Sequence, residues 1–235
     1  MWYVSKICNR INCAGPRVMT DFTAARRAMV DSQVRPSDVT RYGLIQAMLT
    51  VPREVFVPGA RRDLAYAELD VPLGDGRVLL AARTLAKMIE AAQIAESDLV
   101  LDLAPATGYS TALIARIAEA VVAIEPDEGL AATAQDVLDT LEVVNAAVSV
   151  GSAAAGDPAH GPFDVIFIGG AVEELPSALI RQLKEGGRLV AIFRDGPVGK
   201  CRVVTRAGDA VSEKWVFDAE APLVPGFEKA RSFEF

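Results

Sequence analysis

Two carboxylates, Asp102 and Glu125, lie 23 residues apart in a stretch, Leu99 to Glu125, that has the parts of a nucleotide half-site. In a strand–turn–helix–strand unit, an acid at the tip of the second strand hydrogen-bonds a ribose hydroxyl, typically ~20 residues after the first turn. Glu125 is therefore the predicted ribose acceptor, and adenosine the predicted ligand. The turn after Asp102 is made of small or φ-restricted residues, Ala104, Pro105, Ala106, Thr107 and Gly108, as a loop approached closely by a ligand must be.

The elements that position these residues are legible from apolar periodicity. Leu99, Val100, Leu101 and Leu103 form a short run suited to a strand buried on both faces. Leu113, Ile114 and Ile117 recur at helical spacing, and Val121 to Ile124 form the second strand. Beyond Glu125 the pattern repeats: a helix over Gly129–Leu141, a strand at Ala147–Val150 ending on Gly151 and Ser152, and a strand at Phe163–Ile168. A helix carrying Leu175, Leu179, Ile180 and Leu183 follows, closed by Gly186-Gly187, and then a strand at Arg188–Phe193. Alternating strands and helices predict a doubly wound α/β fold with a mostly parallel sheet. Cys201–Arg206 and Ser212–Asp218 break the rhythm and read as an antiparallel hairpin, giving seven strands in all. That ending disfavours a nicotinamide-dependent oxidoreductase, whose later strands keep alternating with helices. Before the sheet comes a helical cap: a helix from Asp21 interrupted at Pro36, a second capped by Ser37 or Asp38, the proline-bracketed connector VPREVFVP, and a helix over Thr84–Ala92.

Composition narrows the class. The 235 residues carry a net charge of −7, which argues against a general grip on nucleic acid or on an anionic membrane. No apolar run approaches the ~18 residues that a membrane span needs. The cysteines, Cys8, Cys13 and Cys201, have neither zinc-site spacing nor a disulfide framework's even count, so no metal site is expected and a reducing cytoplasm is. Met1 to Val18 holds two of the three cysteines and no acid; it reads as an extension or a disordered tail. Residues 19–235 then form one domain, with 19–92 on the substrate side and 93–235 as the cofactor-binding core.

Four stretches give the chain a family likeness: Met29-Val-x-x-Gln33 with Arg41 and Ala47-Met48; VPREVFVP followed by Ala65-Tyr66 and Val71-Pro72-Leu73-Gly74; the unit with Gly108-Tyr109; and residues 163–190, FDVIFIGGAVEELPSALIRQLKEGGRLV. With these, the chain from Met19 onward resembles the protein-L-isoaspartate O-methyltransferases. The resemblance implies a Rossmann-like class I methyltransferase fold, S-adenosyl-L-methionine as cofactor with S-adenosyl-L-homocysteine as product, and a protein or peptide substrate whose isoaspartyl carboxylate is methylated in repair. It assigns the cofactor to Asp102, Ala104, Ala106, Gly108, Tyr109, Glu125 and Ser152. It says nothing of oligomeric state.

The chain departs from that pattern in three places. The family's turn reads roughly E-I-G-T-G-S-G-Y, and here two of its three glycines are Ala104 and Ala106, with Pro105 between them. Alanine adds a methyl group and is disfavoured wherever φ must be positive. The family's T-I-S-x-P loop aligns with Val78 to Ala82, so that Leu80 stands where the methyl-transfer serine would be. Leucine cannot hydrogen-bond a carboxylate. Ser152 replaces the family's acid beside the adenine, and remains an acceptor, though a weaker one. These departures predict weak or absent repair activity, and they leave open a non-catalytic homologue that acts as a binding or regulatory module. His160 reads as a surface-loop residue, Cys201 as a packed hydrophobe, and Glu173-Glu174 as the start of a helix.

Overall fold

Parallel strands rich in buried apolar side chains build the centre of the protein. The computed structural model describes residues 21–208 and 210–229; the extension Met1–Val18 lies outside them. The sheet strands, numbered after the short hairpin β1 (Val71–Gly74) and β2 (Arg77–Leu79), are β3 (Leu99–Leu103), β4 (Ala120–Glu125), β5 (Ala146–Val150), β6 (Phe163–Val172), β7 (Leu183–Phe193), β8 (Lys200–Ala207) and β9 (Ala210–Asp218). They form one seven-stranded sheet in the order β5-β4-β3-β6-β7-β8-β9. The first five pair in parallel, and β8 and β9 add antiparallel strands at one edge. Strand order reverses between β3 and β6, so the crevice beyond their carboxyl ends is where a doubly wound sheet takes its ligand.

The helices are α1 (Phe22–Met29), α2 (Tyr42–Thr50), α3 (Ala82–Ala92), α4 (Tyr109–Ala115), α5 (Glu128–Thr140) and α6 (Ser177–Arg181). One face of the sheet is covered by α2, α3 and α4 through residues such as Met48, Ile89 and Leu113, in one cluster with Phe167 of β6. The other buries Leu101, Leu103, Ile166, Leu179 and Phe227.

Three expectations are corrected. The cap of α2 is neither Ser37 nor Asp38: Ser37 Oγ donates back to the Gln33 carbonyl at 2.8 Å, and Asp38 takes a left-handed turn with φ 63°. The helix starts only after Arg41, with no side-chain cap. Gly186-Gly187 does not close a helix, because α6 ends at Arg181 and both glycines lie within β7. The pairing of Phe163 with Leu183 and of Val165 with Arg188 places the extra residues in a bulge, and a Cβ on Gly187 would meet the Lys184 carbonyl at 2.8 Å. Glu173 and Glu174 precede α6 rather than start it; their N–H groups donate to the Phe227 carbonyl at 3.0 and 3.2 Å, and Glu173 Oε2 accepts from the Lys229 N–H at 3.0 Å. They fasten the C-terminal segment to the end of β6.

Candidate active site

Parallel pairing of β3 with β4 sets Leu103 beside Ile124, and the Ala104 N–H continues the ladder to the Ile124 carbonyl at 2.8 Å. The chain must then turn sharply to enter α4. It does so with φ of 58° at Ala104, 55° at Ala106 and 91° at Gly108. All three glycine positions of the family pattern thus hold left-handed backbone, although two are alanine. Each alanine costs about 1–2 kcal/mol there, so the surroundings must hold the turn in place. Two hydrogen bonds do so: the Ala106 N–H donates to Glu125 Oε2 at 2.7 Å, and Thr107 Oγ1 donates to the Phe56 carbonyl at 2.7 Å. Gly108 has a second constraint, since a Cβ there would lie 3.0 Å from Ala134 Cβ on α5.

Glu125 is fully buried and its carboxylate is saturated. Oε1 accepts from Arg77 Nη1 at 2.6 Å and from the Asp127 N–H at 3.1 Å. Oε2 accepts from Arg77 Nη2 at 2.9 Å and from the Ala106 N–H. Arg77 Nη2 also reaches the Ala104 carbonyl at 3.1 Å. Arg77 had no place in the sequence reading, because it lies on the separate β1–β2 hairpin and nothing in its neighbourhood marks a partner 48 residues away.

Asp102 lies under the turn. Its Oδ2 accepts from Ser110 Oγ at 2.8 Å and Thr111 Oγ1 at 2.7 Å, both in the first turn of α4, while its buried Oδ1 has no partner. Burial pushes its carboxyl up to about 6; the two hydroxyls oppose the shift and the Glu125 charge adds to it.

Leu80 is buried and lines a void of about 20 Å³ together with Leu85, Ala104, Ala106, Ser110 and Gly169. The Leu80 backbone is held by Arg53 of the VPREVFVP connector, whose Nη2 donates to its carbonyl at 2.6 Å while Nε donates to the Ala65 carbonyl at 2.6 Å. Arg53 is wholly buried, and desolvation pulls its pKa down. Its guanidinium stacks 4.9 Å from the centre of the Tyr109 ring. Tyr109 also packs on Phe56, ring centroids 5.2 Å apart, so its ring belongs to the core. The two prolines around Arg53 were the available sign that this loop is fixed, but they did not single out the arginine.

A cleft of about 360 Å³ opens beside the turn, lined by Phe56, Pro58, Leu73, Arg77, Asp127 and Leu130 among others. Its size is at the lower end of the ~300–1,000 Å³ range of small-molecule sites. Gly151, just past the end of β5, donates to the Glu125 carbonyl at 3.1 Å; Ser152 follows it and is solvent-exposed. The remaining candidates lie elsewhere. His160 is exposed and meets Asp157 Oδ2 at 2.7 Å. Cys201 is buried, its thiol pushed up to about 12, a state without nucleophilic thiolate. Among the described residues, no three His, Cys, Asp or Glu side chains are grouped to hold a metal, and no helix is long and apolar enough to cross a membrane.

The donor set fits an adenosyl cofactor: an acid at the tip of β4, an unpartnered buried Asp102 oxygen beneath the turn, and a turn that keeps three left-handed residues. The conformation is closed, because Arg77 takes the acid's outward contacts.

Comparison with known proteins agrees. The family model of protein-L-isoaspartate(D-aspartate) O-methyltransferase matches residues 25–216. The protein-L-isoaspartate O-methyltransferase of Roseiflexus castenholzii is 37% identical over 212 residues, covering 88% of this chain and 94% of the relative. That of Koribacter versatilis is 39% identical over 172 residues, covering 73% and 78%. A solved protein-L-isoaspartate O-methyltransferase superposes with a TM-score of 0.76 at 21% identity, covering 86% of this chain and 66% of that one. A Plasmodium falciparum structure of the same type, in complex with S-adenosyl-L-homocysteine, superposes with a TM-score of 0.73 at 16% identity, covering 87% and 98%. The last two show the shared class I methyltransferase fold; the family model and the sequence relatives place this chain in the protein-L-isoaspartate(D-aspartate) O-methyltransferase family of S-adenosylmethionine-dependent methyltransferases.

Proposed function

We propose that this chain methylates a carboxylate from S-adenosyl-L-methionine, with isoaspartyl protein or peptide as the acceptor class, and that Leu80 makes it slow on that acceptor. The observation that carries the reading is the Ala104–Gly108 turn, which keeps left-handed backbone at three positions although alanine resists it at two of them. A turn free to relax would shed that strain, and its retention over Glu125 supports a cradle for the cofactor.

When bound, the cofactor supplies an activated methyl group on a sulfonium. Glu125 would hold the ribose hydroxyls and Ser152 the adenine amino group, with Asp102, Ala104, Ala106 and Gly108 around the remainder; Tyr109, whose ring is packed in the core, would contribute only its backbone. Residues up to 92 form the substrate side over the core from 93 onward. The acceptor carboxylate is already charged and needs no strong base, so the protein's task is alignment. Leu80 presents a branched apolar group where an aligning hydroxyl would donate, and a carboxylate beside it loses hydration without a replacement. A second reading, binding without turnover, is favoured by the 20 Å³ of free space at Leu80. Buried, unpaired Cys201 suits a reducing cytoplasm, where we place the protein.

The test is release of S-adenosyl-L-homocysteine with an isoaspartyl peptide and its aspartyl control. Slow, peptide-dependent release that rises in Leu80→Ser supports the first reading. Binding of S-adenosyl-L-homocysteine with no release in either form supports the second.

A further inference from the structure

We propose that Arg77 is a built-in competitor for the cofactor site, occupying the contacts that a ribose would make and so setting cofactor affinity. The proposal rests on the reading of Glu125 as the ribose acceptor, and deepens it. An ionised carboxylate offers about four acceptor positions, and Glu125 uses four: the N–H groups of Asp127 and Ala106, and the two Nη groups of Arg77. The two N–H groups belong to the backbone frame. Only the guanidinium can leave. Its two parallel N–H donors form a fork, and two vicinal ribose hydroxyls present a similar fork, so guanidinium and ribose compete for the same oxygens.

The hairpin explains how Arg77 is delivered. Gly74 pairs with Arg77, and the two residues between them, Asp75 and Gly76, both have positive φ, 46° and 74°. That is the tight turn an Asp-Gly pair favours, and it fixes the Arg77 backbone at the start of β2. The side chain is free to move where the backbone is not, because Arg77 also lines the 360 Å³ cleft, which gives the guanidinium room to withdraw without unpairing the hairpin. Opening has a cost, since it separates a buried carboxylate from its counter-ion. The open form is therefore a minority state, and apparent affinity falls by the open fraction.

The experiment measures S-adenosyl-L-homocysteine affinity by calorimetry, and the melting temperature without ligand, for the natural chain, Arg77→Ala and Arg77→Gln. With an open state populated at roughly 0.1–10%, Arg77→Ala binds on the order of 10- to 1,000-fold more tightly, while its ligand-free melting temperature falls by several degrees. Arg77→Gln, whose shorter neutral side chain removes the fork but keeps more of the packing than alanine, moves in the same directions by less and serves if the alanine variant does not fold. The gain appears equally with adenosine and is absent with homocysteine, since only the ribose meets Glu125. Opposite changes in affinity and stability separate a competitor from a structural residue, whose loss lowers both. If the natural chain binds S-adenosyl-L-homocysteine and both variants bind it equally or more weakly, Arg77 is no competitor, and the cofactor assignment stands. If none of the three binds it, the assignment of Glu125 fails, and the competitor with it.

Discussion

Arg53 and Leu80 are joined by a hydrogen bond of 2.6 Å from Nη2 to the Leu80 carbonyl, so a fully buried guanidinium in the connector fixes the backbone of the loop that carries Leu80. Removing the guanidinium strands two buried carbonyls, those of Leu80 and Ala65, and empties the space against Tyr109. Arg53→Ala is expected to lower unfolding free energy by about 2–4 kcal/mol, from two carbonyls left without a donor and the packing lost, read from urea denaturation. A change within 0.5 kcal/mol, roughly the scatter of surface substitutions, would contradict the role.

Glycine at the strained turn should act in the other direction. Ala104→Gly and Ala106→Gly each relieve about 1–2 kcal/mol of left-handed strain and lose about 0.4–1 kcal/mol through the more flexible unfolded chain. Each variant is therefore expected to be as stable as the parent or up to ~1.6 kcal/mol more so. Ala112→Gly, inside α4, is expected to lose ~1 kcal/mol. Equal losses at all three positions in thermal melts would remove the argument that the turn is strained.

Asp102 makes stability depend on pH, with a sign opposite to that of most carboxylates. Its folded value, about 6, lies above the ordinary 3.8, so between those limits the folded state binds the proton more tightly than the unfolded state. Its contribution to stability is present below about 4 and is lost as pH rises through 6. Asp102→Asn cannot titrate, so the stability of the variant relative to the parent should climb by roughly 2–3 kcal/mol from pH 4 to pH 7. A pH-independent difference between the two denaturation series would show that Asp102 has no raised value.

The charge on Glu125 is expected to matter for adenosine as well as for the fold. In an Arg77→Ala background, where no guanidinium remains to be released, Glu125→Gln keeps the shape and loses the charge, which should weaken S-adenosyl-L-homocysteine by about 1–3 kcal/mol. Calorimetry at fixed salt and pH checks this; unchanged affinity would move the ribose elsewhere.

Leu80→Ser combined with Ala104→Gly and Ala106→Gly is expected to raise isoaspartyl methylation from near background, since loss of one aligning group costs on the order of 10²-fold. Robust methylation by the unaltered chain would show that Leu80 does not face the acceptor.

The sequence by itself determined what depends on local order. Apolar runs and helical spacing marked β3, α4 and β4, and the acid at the tip of β4 followed from counting residues. The inner strands followed from apolar runs buried on both faces, and the antiparallel edge from two strand-like runs separated by a short turn. Local rules failed where distant chain intervened: Gly186-Gly187 carries a helix-ending signature, yet the pairing of Leu183 with Phe163 drew it into a strand. The state of the site was decided only in three dimensions. Glu125 reads as a free acceptor, and becomes a saturated one because a hairpin 48 residues earlier delivers Arg77 to both its oxygens. Arg53 reads as one charge among many and becomes the buried tie to Leu80. A guanidinium partner has no periodicity and no fixed spacing, so only the packing of separate elements could select it.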